Sequence, residues 1–292
     1  MRLTDPDHIV AFLGLEGSHS DVACRTFLPY AQPLPCAGFE DVLDAVEVGR
    51  ASLGLVPVQN SIAGRVGEND LLVGQSALSI VGEYFHPVEH CLLAVPGAVI
   101  GEIATVYTHP QAIAQCRRFI QRHGFESVPF ADTARAAQHV QRMGDRRAAA
   151  IGSALAATLY GLDVLASAIN DQRDNVTHFL LLARETAELD LVPGQLVLTS
   201  ATFSTRNLPA VLYKALGGFA TNGVNLLKID SSMPVQSGQA NAEFFVTFEG
   251  AVTDRRVQLA LEELSFFSTR VRVLGSYPAH PFRAEGSAPR NR

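Results

Sequence analysis

The chain has 292 residues, of which 47% are hydrophobic and 18% are charged. This composition is typical of a globular protein with one large or two modest domains, and it is too apolar for a disordered chain. The net charge of −6, without a basic run longer than a pair, argues against nucleic-acid binding, because neutralising phosphates needs a positive face.

Cysteine usage and the N-terminal sequence indicate a soluble cytoplasmic protein. None of the four cysteines lies in a CxxC pair: Cys24, Cys36, Cys91 and Cys116. A zinc site or a disulfide framework is therefore not expected. The first ten residues carry acids where a signal peptide has bases, and no apolar run approaches the roughly 18 residues of a membrane helix. We expect no membrane association.

Residues 8–185 alternate short apolar runs with amphipathic stretches, which is the pattern of an α/β fold. The runs that we expect to form strands are 9–13, 52–58, 104–108, 148–151, 162–166 and 177–183.

Three helices are predicted between these strands. The first follows His109-Pro110, presents one apolar face and is closed by Gly124. The second is expected over 132–144, with an aspartate cap and a closing glycine, and the third over 152–161.

The pattern changes after residue 185. Segment 185–194 pairs acids with Pro-Gly and lacks a period, so it is typical of a linker. The elements predicted after it are a strand at 196–204, a helix at 209–223, strands at 224–233 and 242–250, a helix at 255–267 and a strand at 270–278. This βαββαβ order predicts a ferredoxin-like domain over 195–280. A disordered tail is expected at 281–292.

Polar loops at strand ends carry the candidate functional residues. Loop 14–20 runs from a strand into a helix and aims N–H groups at one point, so it can bind an anion; a glycine turn with a serine cap is the alternative. Loop 57–65 places amides and a hydroxyl where ligands bind in open α/β sheets, although a plain turn also explains Asn60 and Ser61.

Loops 108–112 and 170–179 also flank predicted strands. A polar cap alone explains Thr108. His109 is not expected to bind a metal, because no second histidine or carboxylate stands at ligand spacing. Taken alone, Thr177 fits a strand residue and His178 its solvated neighbour.

In combination, these loops resemble the prephenate dehydratase family, in the arrangement with a C-terminal ACT domain. The resemblance covers about residues 9–280. Five motifs appear in order, and together they are far more specific than any one. They are FLGLEGSHS (12–20) for FQGxxGAYS, PVQNSIAGRV (57–66) for PIENSxxGxV, HPQAIAQC (109–116) for HPQAxxQC, ADTARAA (131–137) for ADTAxAA, and NVTHF (175–179) for the catalytic Asn-x-Thr-Arg-Phe.

The resemblance implies a catalytic domain of two lobes over 8–185, like a type II periplasmic binding protein, with the substrate in the cleft. A transport receptor has the same fold but is disfavoured by the absence of a signal peptide and by the ACT-like domain. The family's reaction expels CO2 and hydroxide from prephenate to give phenylpyruvate, in phenylalanine biosynthesis, without a metal or organic cofactor. By resemblance, Thr177 is the catalytic donor to the departing oxygen.

Prephenate carries two carboxylates, so a net-acidic protein must supply local donors. We expect backbone N–H groups and helix ends to provide them. The residues that the resemblance assigns to substrate binding are Gly17, Ser18, His19, Ser20, Gln59, Asn60, Ser61, Gly64, Thr108, Gln111, Asn175, His178 and Phe179.

Two positions depart from the family, since Gln59 replaces a glutamate and His178 an arginine. The local charge sum is unchanged if His178 is neutral, so the two changes can compensate. Alternatively, a protonated His178 anchors a carboxylate, and binding then weakens as pH rises through about 6.5. The departures also leave open arogenate dehydration, decarboxylation without aromatisation, or a non-catalytic amino-acid-sensing protein.

The family's ACT domain binds phenylalanine between subunits and lowers activity. The resemblance therefore implies phenylalanine as an effector and a homodimer or homotetramer, whereas a purely dimerising domain is the alternative. Ala210 replaces the glycine of the family's Pro-Gly-Ala-Leu. The positions that we assign to the effector site are Pro209, Ala210, Val211, Leu212, Asn222, Asn225, Asp230 and Ser231.

Overall fold

The computed structural model describes residues 7–67, 69–186, 194–206, 208–232 and 242–283. The chain divides into two compact units, one formed by 4–66 with 85–179 and the other by 67–84 with 180–292. Most of the predicted linker and residues 284–292 of the predicted tail lie outside the described residues.

Strands and helices alternate through most of the chain. The strands are β1 (Ile9–Leu13), β2 (Gln32–Cys36), β3 (Leu53–Asn60), β4 (Gly64–Arg65), β5 (Ser79–Pro87), β6 (Cys91–Ala94), β7 (Thr105–Thr108), β8 (Glu126–Pro129), β9 (Ala148–Gly152), β10 (Asp163–Ala166), β11 (Val176–Ala183), β12 (Val197–Thr205), β13 (Leu226–Ser232), β14 (Ala242–Glu249) and β15 (Arg270–Pro278). The helices are α1 (His19–Phe27), α2 (Phe39–Glu47), α3 (Asn69–Gln75), α4 (Pro110–Gln115), α5 (Arg117–His123), α6 (Thr133–Met143), α7 (Ala154–Tyr160), α8 (Val211–Thr221) and α9 (Arg255–Phe267). Among the described residues, no helix is long and apolar enough to cross a membrane.

The first sheet has the order β2-β1-β3-β11-β5, with β4 beside β3. Strand β1 is parallel to both β2 and β3, and its residues Val10, Ala11 and Phe12 are fully buried. Such continuous burial is typical of a parallel strand covered on both faces. The predicted loop 57–65 is shorter than expected, because β3 continues to Asn60 and β4 begins at Gly64.

The second sheet has the order β10-β6-β9-β7-β8. Strand β7 is parallel to β8 and β9, whereas β6 is antiparallel to β9. Small residues of β9 and the apolar face of α6 fill its core. Helix α6 begins after the predicted cap Asp132 and ends at Gly144 in the left-handed region, as the sequence indicates.

The single helix predicted after His109 is wrong, because the chain forms two helices, α4 and α5. The break lies at Cys116, which is buried and has φ −117°. Asp171 explains it: its N–H donates to the Gln115 carbonyl at 2.7 Å, and its carboxylate accepts from the N–H of Arg118 at 3.1 Å. A distant loop thus caps both helix ends, which the local apolar period does not reveal.

The third sheet is antiparallel, with the order β13-β14-β12-β15. With α8 and α9 it contains the six elements predicted after residue 195, in the predicted order. Its core is aromatic, and Phe203, Phe219 and Phe248 are almost completely buried. Tyr277 is buried as well, and its hydroxyl is 2.8 Å from Ser200 Oγ, which satisfies the polar end of the ring.

Segment 67–84 belongs to the same compact unit as this third sheet. The guanidinium of Arg272 donates to the carbonyl oxygens of Gly74, Ser76 and Leu78. A Cβ at Gly74 would lie 2.5 Å from Thr202 Cγ2, so a larger residue at this position would force the Thr202 side chain to move. The sequence did not predict this association, because the partners lie far apart along the chain.

Two ion-pair groups hold the same segment. Lys228 Nζ is 2.8 Å from Asp70 and 3.1 Å from Asp230. The carboxylate of Glu83 accepts from Arg283 at 2.7 Å and from the N–H of His280 at 3.0 Å. Residues 281–283, which the sequence assigns to the start of a disordered tail, are thus anchored at Glu83.

Candidate functional site

A cavity of about 510 Å³ lies within the compact unit of residues 4–66 and 85–179. The first sheet and its loops supply one wall, and the second sheet with α4 and α6 supplies the other. Seven residues that the sequence assigns to catalysis or substrate binding line it: Ser18, His19, Ser20, Asn60, Gln111, Thr177 and Phe179.

Loop 14–20 is fixed by hydrogen bonds and close packing with residues outside it. Gly17 has φ +83°, and a Cβ there would lie 2.9 Å from Ala156 Cα. Its N–H donates to the buried carboxylate of Asp21 at 2.8 Å, and Ser18 Oγ caps α1 by accepting from the N–H of Asp21. The N–H groups available to a ligand are therefore those of His19 and Ser20 in the first turn, which lack helical partners.

Asn60 is oriented by the turn that follows it. Its Oδ1 accepts from the N–H groups of Ile62 and Ala63 at 3.0 and 2.9 Å. Since these donors fix the oxygen, the amide nitrogen must face the other way. It donates to Asn175 Oδ1 at 2.8 Å and to Thr177 Oγ at 3.0 Å.

Ser61 joins the two loops behind the cavity. Its hydroxyl donates to the carbonyl of Asp174 at 2.8 Å and accepts from the N–H of Val176 at 2.9 Å, while its own N–H donates to the Val176 carbonyl. Gln59 and Gly64 lie on the adjoining β3–β4 hairpin, paired with Arg65 and Asn60. These three predicted site residues are not among those lining the cavity.

The hydrogen bonds continue from Asn175 to the second sheet. Asn175 Nδ2 and His90 Nε2 lie 3.0 and 2.8 Å from Gln115 Oε1. A carbonyl oxygen only accepts, so His90 carries its proton on Nε2. Burial lowers the pKa of His90, so the ring is neutral and its Nδ1 accepts from His19 Nε2 at 3.2 Å.

His19 ends this chain of bonds inside the cavity. Burial lowers the pKa of His19 well below its usual range, and the neighbouring His90 and His86 act in the same direction. Both rings are therefore neutral near pH 7. Each of these hydrogen bonds has a defined donor. The donor-to-acceptor order of the whole hydrogen-bond network, from the turn after Asn60 to His19, is therefore determined.

Thr177 occupies the point where this network meets the cavity. Its oxygen accepts from Asn60, and its own proton has no hydrogen-bond partner among the described residues. The hydroxyl can therefore donate to an oxygen of a ligand. An oriented donor on a partly desolvated wall can stabilise negative charge that develops on such an oxygen.

The residues of β11 alternate between two faces. Thr177 and Phe179 line the cavity, and His178 between them is buried with its ring stacked on Phe85, the centroids being 4.4 Å apart. This follows from the period of two in a strand. The structure therefore does not bring His178 to the cavity wall.

On the second wall, Thr108 is used internally, because its buried hydroxyl donates to the carbonyl of Ile151 at 2.7 Å. Gln111 lines the cavity, and its N–H donates to His109 Nδ1. The lining residues that were not nominated from the sequence include His90, Gln115, Asp132 and Arg135. The last three lie in the quoted motifs, which is the signal that could have identified them, whereas His90 precedes an apolar strand and carries none.

The predicted effector positions lie in the other compact unit. Pro209 and Ala210 precede α8, which contains Val211 and Leu212, and Ala210 has φ +61°. At the end of α8, Asn222 Nδ2 donates to Glu263 at 2.8 Å. Asn225 donates to Glu249 at 3.1 Å. Asp230, next to Ser231 on β13, pairs with Lys228.

The cysteine thiols are buried and free. Burial raises the pKa of Cys24 and of Cys116 to about 12, so neither is a thiolate near pH 7. Within the described ranges, no group of three or more His, Cys, Asp or Glu side chains is arranged to hold a metal ion.

Comparison with known proteins adds an independent observation. Residues 10–187 match the family model described as prephenate dehydratase. A Komagataeibacter europaeus relative, described as a bifunctional N-acyl-homoserine lactone acylase/prephenate dehydratase, is 42% identical over 95% of this chain and 98% of its own length. An Arabidopsis thaliana arogenate dehydratase/prephenate dehydratase is 38% identical over 92% of this chain and 71% of its own. The crystal structure of prephenate dehydratase from Arthrobacter aurescens in complex with L-Phe has a TM-score of 0.85 at 31% identity, covering 94% of this chain and 91% of that one.

Proposed function

Since this chain belongs to the prephenate dehydratase family, we propose that it catalyses the decarboxylating dehydration of prephenate to phenylpyruvate in L-phenylalanine biosynthesis. The single observation that carries the proposal is the Thr177 hydroxyl. It lines the cavity, accepts from Asn60 at 3.0 Å and keeps its own proton for a ligand oxygen.

The reaction breaks two bonds of the substrate ring. The bond to the ring carboxylate breaks and releases CO2, its electron pair moves through the ring, and the bond to the hydroxyl oxygen at the opposite carbon breaks. Aromatisation supplies the driving force. The departing hydroxide becomes water by taking one proton, and it leaves slowly unless a donor stabilises its charge.

Thr177 is the donor in this scheme. A threonine hydroxyl is a very weak acid, so it donates a hydrogen bond to the departing oxygen and does not transfer a complete proton early in the step. As its proton moves towards that oxygen, charge grows on Thr177 Oγ. Asn60 Nδ2, 3.0 Å away, is already oriented to stabilise this charge.

The substrate contacts come from the lining residues. We assign direct contact to Ser18, His19, Ser20, Asn60, Gln111, Thr177 and Phe179, because these line the cavity. The N–H groups at the first turn of α1 are donors for a carboxylate. Gly17, Gln59, Ser61, Gly64, Thr108 and Asn175 support those residues from behind.

We assign His178 a packing role against Phe85. If His178 were instead a protonated carboxylate anchor, substrate affinity would fall as pH rises through about 6.5. Comparing the pH profile of KM with that of His178→Arg separates these roles, because an anchor's profile flattens in the variant.

The proposal extends to the organisation of the whole chain. The two sheets on either side of the cavity support a two-lobed catalytic domain at 8–185. The βαββαβ order after residue 195 and the relative solved with L-Phe support an ACT domain at 195–280 that binds phenylalanine. We further propose a cytoplasmic homodimer or homotetramer whose activity phenylalanine lowers.

The second activity in the description of the K. europaeus relative is less well supported by the cavity. Nucleophilic acyl transfer needs a hydroxyl or thiol next to a base. Of the three lining histidines, His19 and His90 bond to each other, His90 also bonds to Gln115, and His109 Nδ1 accepts from the N–H of Gln111. Within the described residues none of the three is hydrogen-bonded to a hydroxyl. The geometry therefore favours the dehydratase.

The test is a direct assay with purified protein. Prephenate should yield phenylpyruvate, and added phenylalanine should lower the rate. Arogenate and an N-acyl-homoserine lactone are run in parallel. Turnover of the lactone alone, or no turnover of prephenate, would overturn the proposed function.

A further inference from the structure

One charged pair lines the cavity. Of the described residues on its walls, Arg135 is the only arginine or lysine and Asp132 is the only carboxylate. Both stand at the N-terminal end of α6, in the second sheet's wall. Arg135 occupies the position that the family motif ADTAxAA leaves unspecified, so it is a property of this chain.

The pair is arranged so that Arg135 occupies both oxygens of Asp132. The N–H of Arg135 donates to Oδ1 at 2.6 Å, and its Nε lies 3.0 Å from Oδ2. The two terminal amino groups of the guanidinium have no hydrogen-bond partner in the described part of the chain. The side chain of Arg135 is 47% exposed. The pair therefore offers the two free amino groups of Arg135 as donors to a ligand, while one lone pair of each Asp132 oxygen is engaged by Arg135 itself.

We propose, on the basis of the function proposed above, that Arg135 determines specificity by binding the carboxylate of the substrate's three-carbon side chain. That carboxylate keeps its charge throughout the reaction. The ring carboxylate loses its charge as CO2 leaves, so a cation bound to it would stabilise the ground state more than the transition state and slow the step.

The same geometry discriminates between substrates. Prephenate has a keto group beside the side-chain carboxylate, whereas arogenate has an ammonium. An ammonium next to Arg135 meets a like charge, and Asp132 offsets that charge only in part because each of its oxygens already contacts Arg135. Specificity then comes from a repulsive element as well as an attractive one.

The experiment compares kcat/KM for prephenate and for arogenate. Arg135→Met should lower the prephenate value about tenfold, mainly through KM, because a charge-assisted hydrogen bond is lost. The ratio of kcat/KM for prephenate to that for arogenate should fall by more than this factor, since the freed carboxylate of Asp132 attracts the ammonium of arogenate. Adding Asp132→Asn, which keeps the cap acceptor without the charge, should reverse the gain for arogenate.

Arg142→Met is the matched control, because Arg142 is an exposed residue of the same helix outside the cavity lining. It should leave both values unchanged. An Arg135→Met variant that changes both substrates by the same factor overturns the inference and leaves the proposed function intact. If the parent turns over neither substrate, the proposed function fails. Calorimetric titration with phenylpyruvate then decides the inference alone, and equal affinities of Arg135→Met and Arg142→Met overturn it.

Discussion

The cavity and the predicted effector positions use their polar side chains in different ways. Asn60 lies 115 and 117 positions from Asn175 and Thr177 in the chain, yet one amide bonds to both. One branch of this network ends at the Thr177 hydroxyl, whose proton has no partner among the described residues. Asn222 and Asn225, in contrast, donate to glutamates of their own unit. The cavity thus keeps a hydroxyl donor available, whereas each of these amides already uses a donor within its own unit.

The largest expected effect removes the available donor. Thr177→Ala should lower kcat by about 10²- to 10³-fold, or about 3 to 4 kcal/mol in the barrier, the scale of losing one preorganised donor. Thr177→Ser keeps the hydroxyl and is the matched control. A Thr177→Ala rate within threefold of the parent, with an unchanged thermal melt, would remove Thr177 from the mechanism.

The second prediction concerns the ion cluster of the other unit. Lys228, 15% exposed, lies between Asp70 and Asp230, and the Asp70 side chain is 2% exposed. Lys228→Met leaves a buried carboxylate without its cation, so the free energy of unfolding in urea should fall by about 2 to 3 kcal/mol.

The control is the other lysine of the chain, Lys214, which is exposed on α8. Lys214→Met should stay within about 0.5 kcal/mol of the parent. Equal losses in the two variants would show that the cluster does not stabilise the fold.

The third prediction uses pH and addresses the unit that contains the cavity. Burial lowers the pKa of His86 from 6.5 to about 4. Between these values the unfolded chain binds a proton that the folded protein does not. The free energy of unfolding should therefore be constant above pH 6.5 and fall on acidification, by about 2 kcal/mol at pH 5.

Denaturant melts between pH 7.5 and 5 measure this slope. His86→Gln should reduce it, whereas His123→Gln, on an exposed helix end, should not. Burial also lowers the pKa values of His19 and His90. Some pH dependence of the free energy of unfolding should therefore remain in His86→Gln. An unchanged slope in His86→Gln would exclude His86 as a source of acid sensitivity.

The smallest effect tests the predicted effector site. Ala210 has φ +61° and Ala168 has φ +53°, a region that disfavours a Cβ. Ala210→Gly and Ala168→Gly should each raise the free energy of unfolding by up to about 1 kcal/mol. Only Ala210→Gly should also strengthen inhibition by phenylalanine, because it lets a ligand backbone approach. Equal inhibition curves for the two variants would remove Ala210 from that site.

Elements with a strong local pattern were predicted well. The predicted strand 9–13, helix 255–267 and strand 270–278 coincide with β1, α9 and β15, because their apolar period lies within the element itself. Strand β5 was not predicted. It buries Glu83, whose partner Arg283 lies 200 positions away, and a buried carboxylate is recognisable only once that partner is known.

In the candidate site, too, local sequence patterns predicted some residues, whereas others depend on partners far away in the sequence. The position of loop 57–65 at a strand end pointed to Asn60 as a candidate, whereas only the resemblance to the family pointed to Thr177. His90 was missed, since its role depends on Gln115 and His19, which only the folded chain brings within 2.8 and 3.2 Å. The face of His178 depended on the register of β11, which the loop pattern did not define.

The association of segment 67–84 with the third sheet constrains how such genes can be recombined. A breakpoint placed in the stretch 185–194, which the sequence predicts to be a linker, would separate α3 from Arg272, which binds carbonyls in its last turn and just after it. It would also separate Asp70 from Lys228. In a chimera joined there, segment 67–84 comes from one parent and the third sheet that it contacts comes from the other. Exchanging the third sheet and its helices between homologues therefore requires residues 67–84 to be exchanged with them.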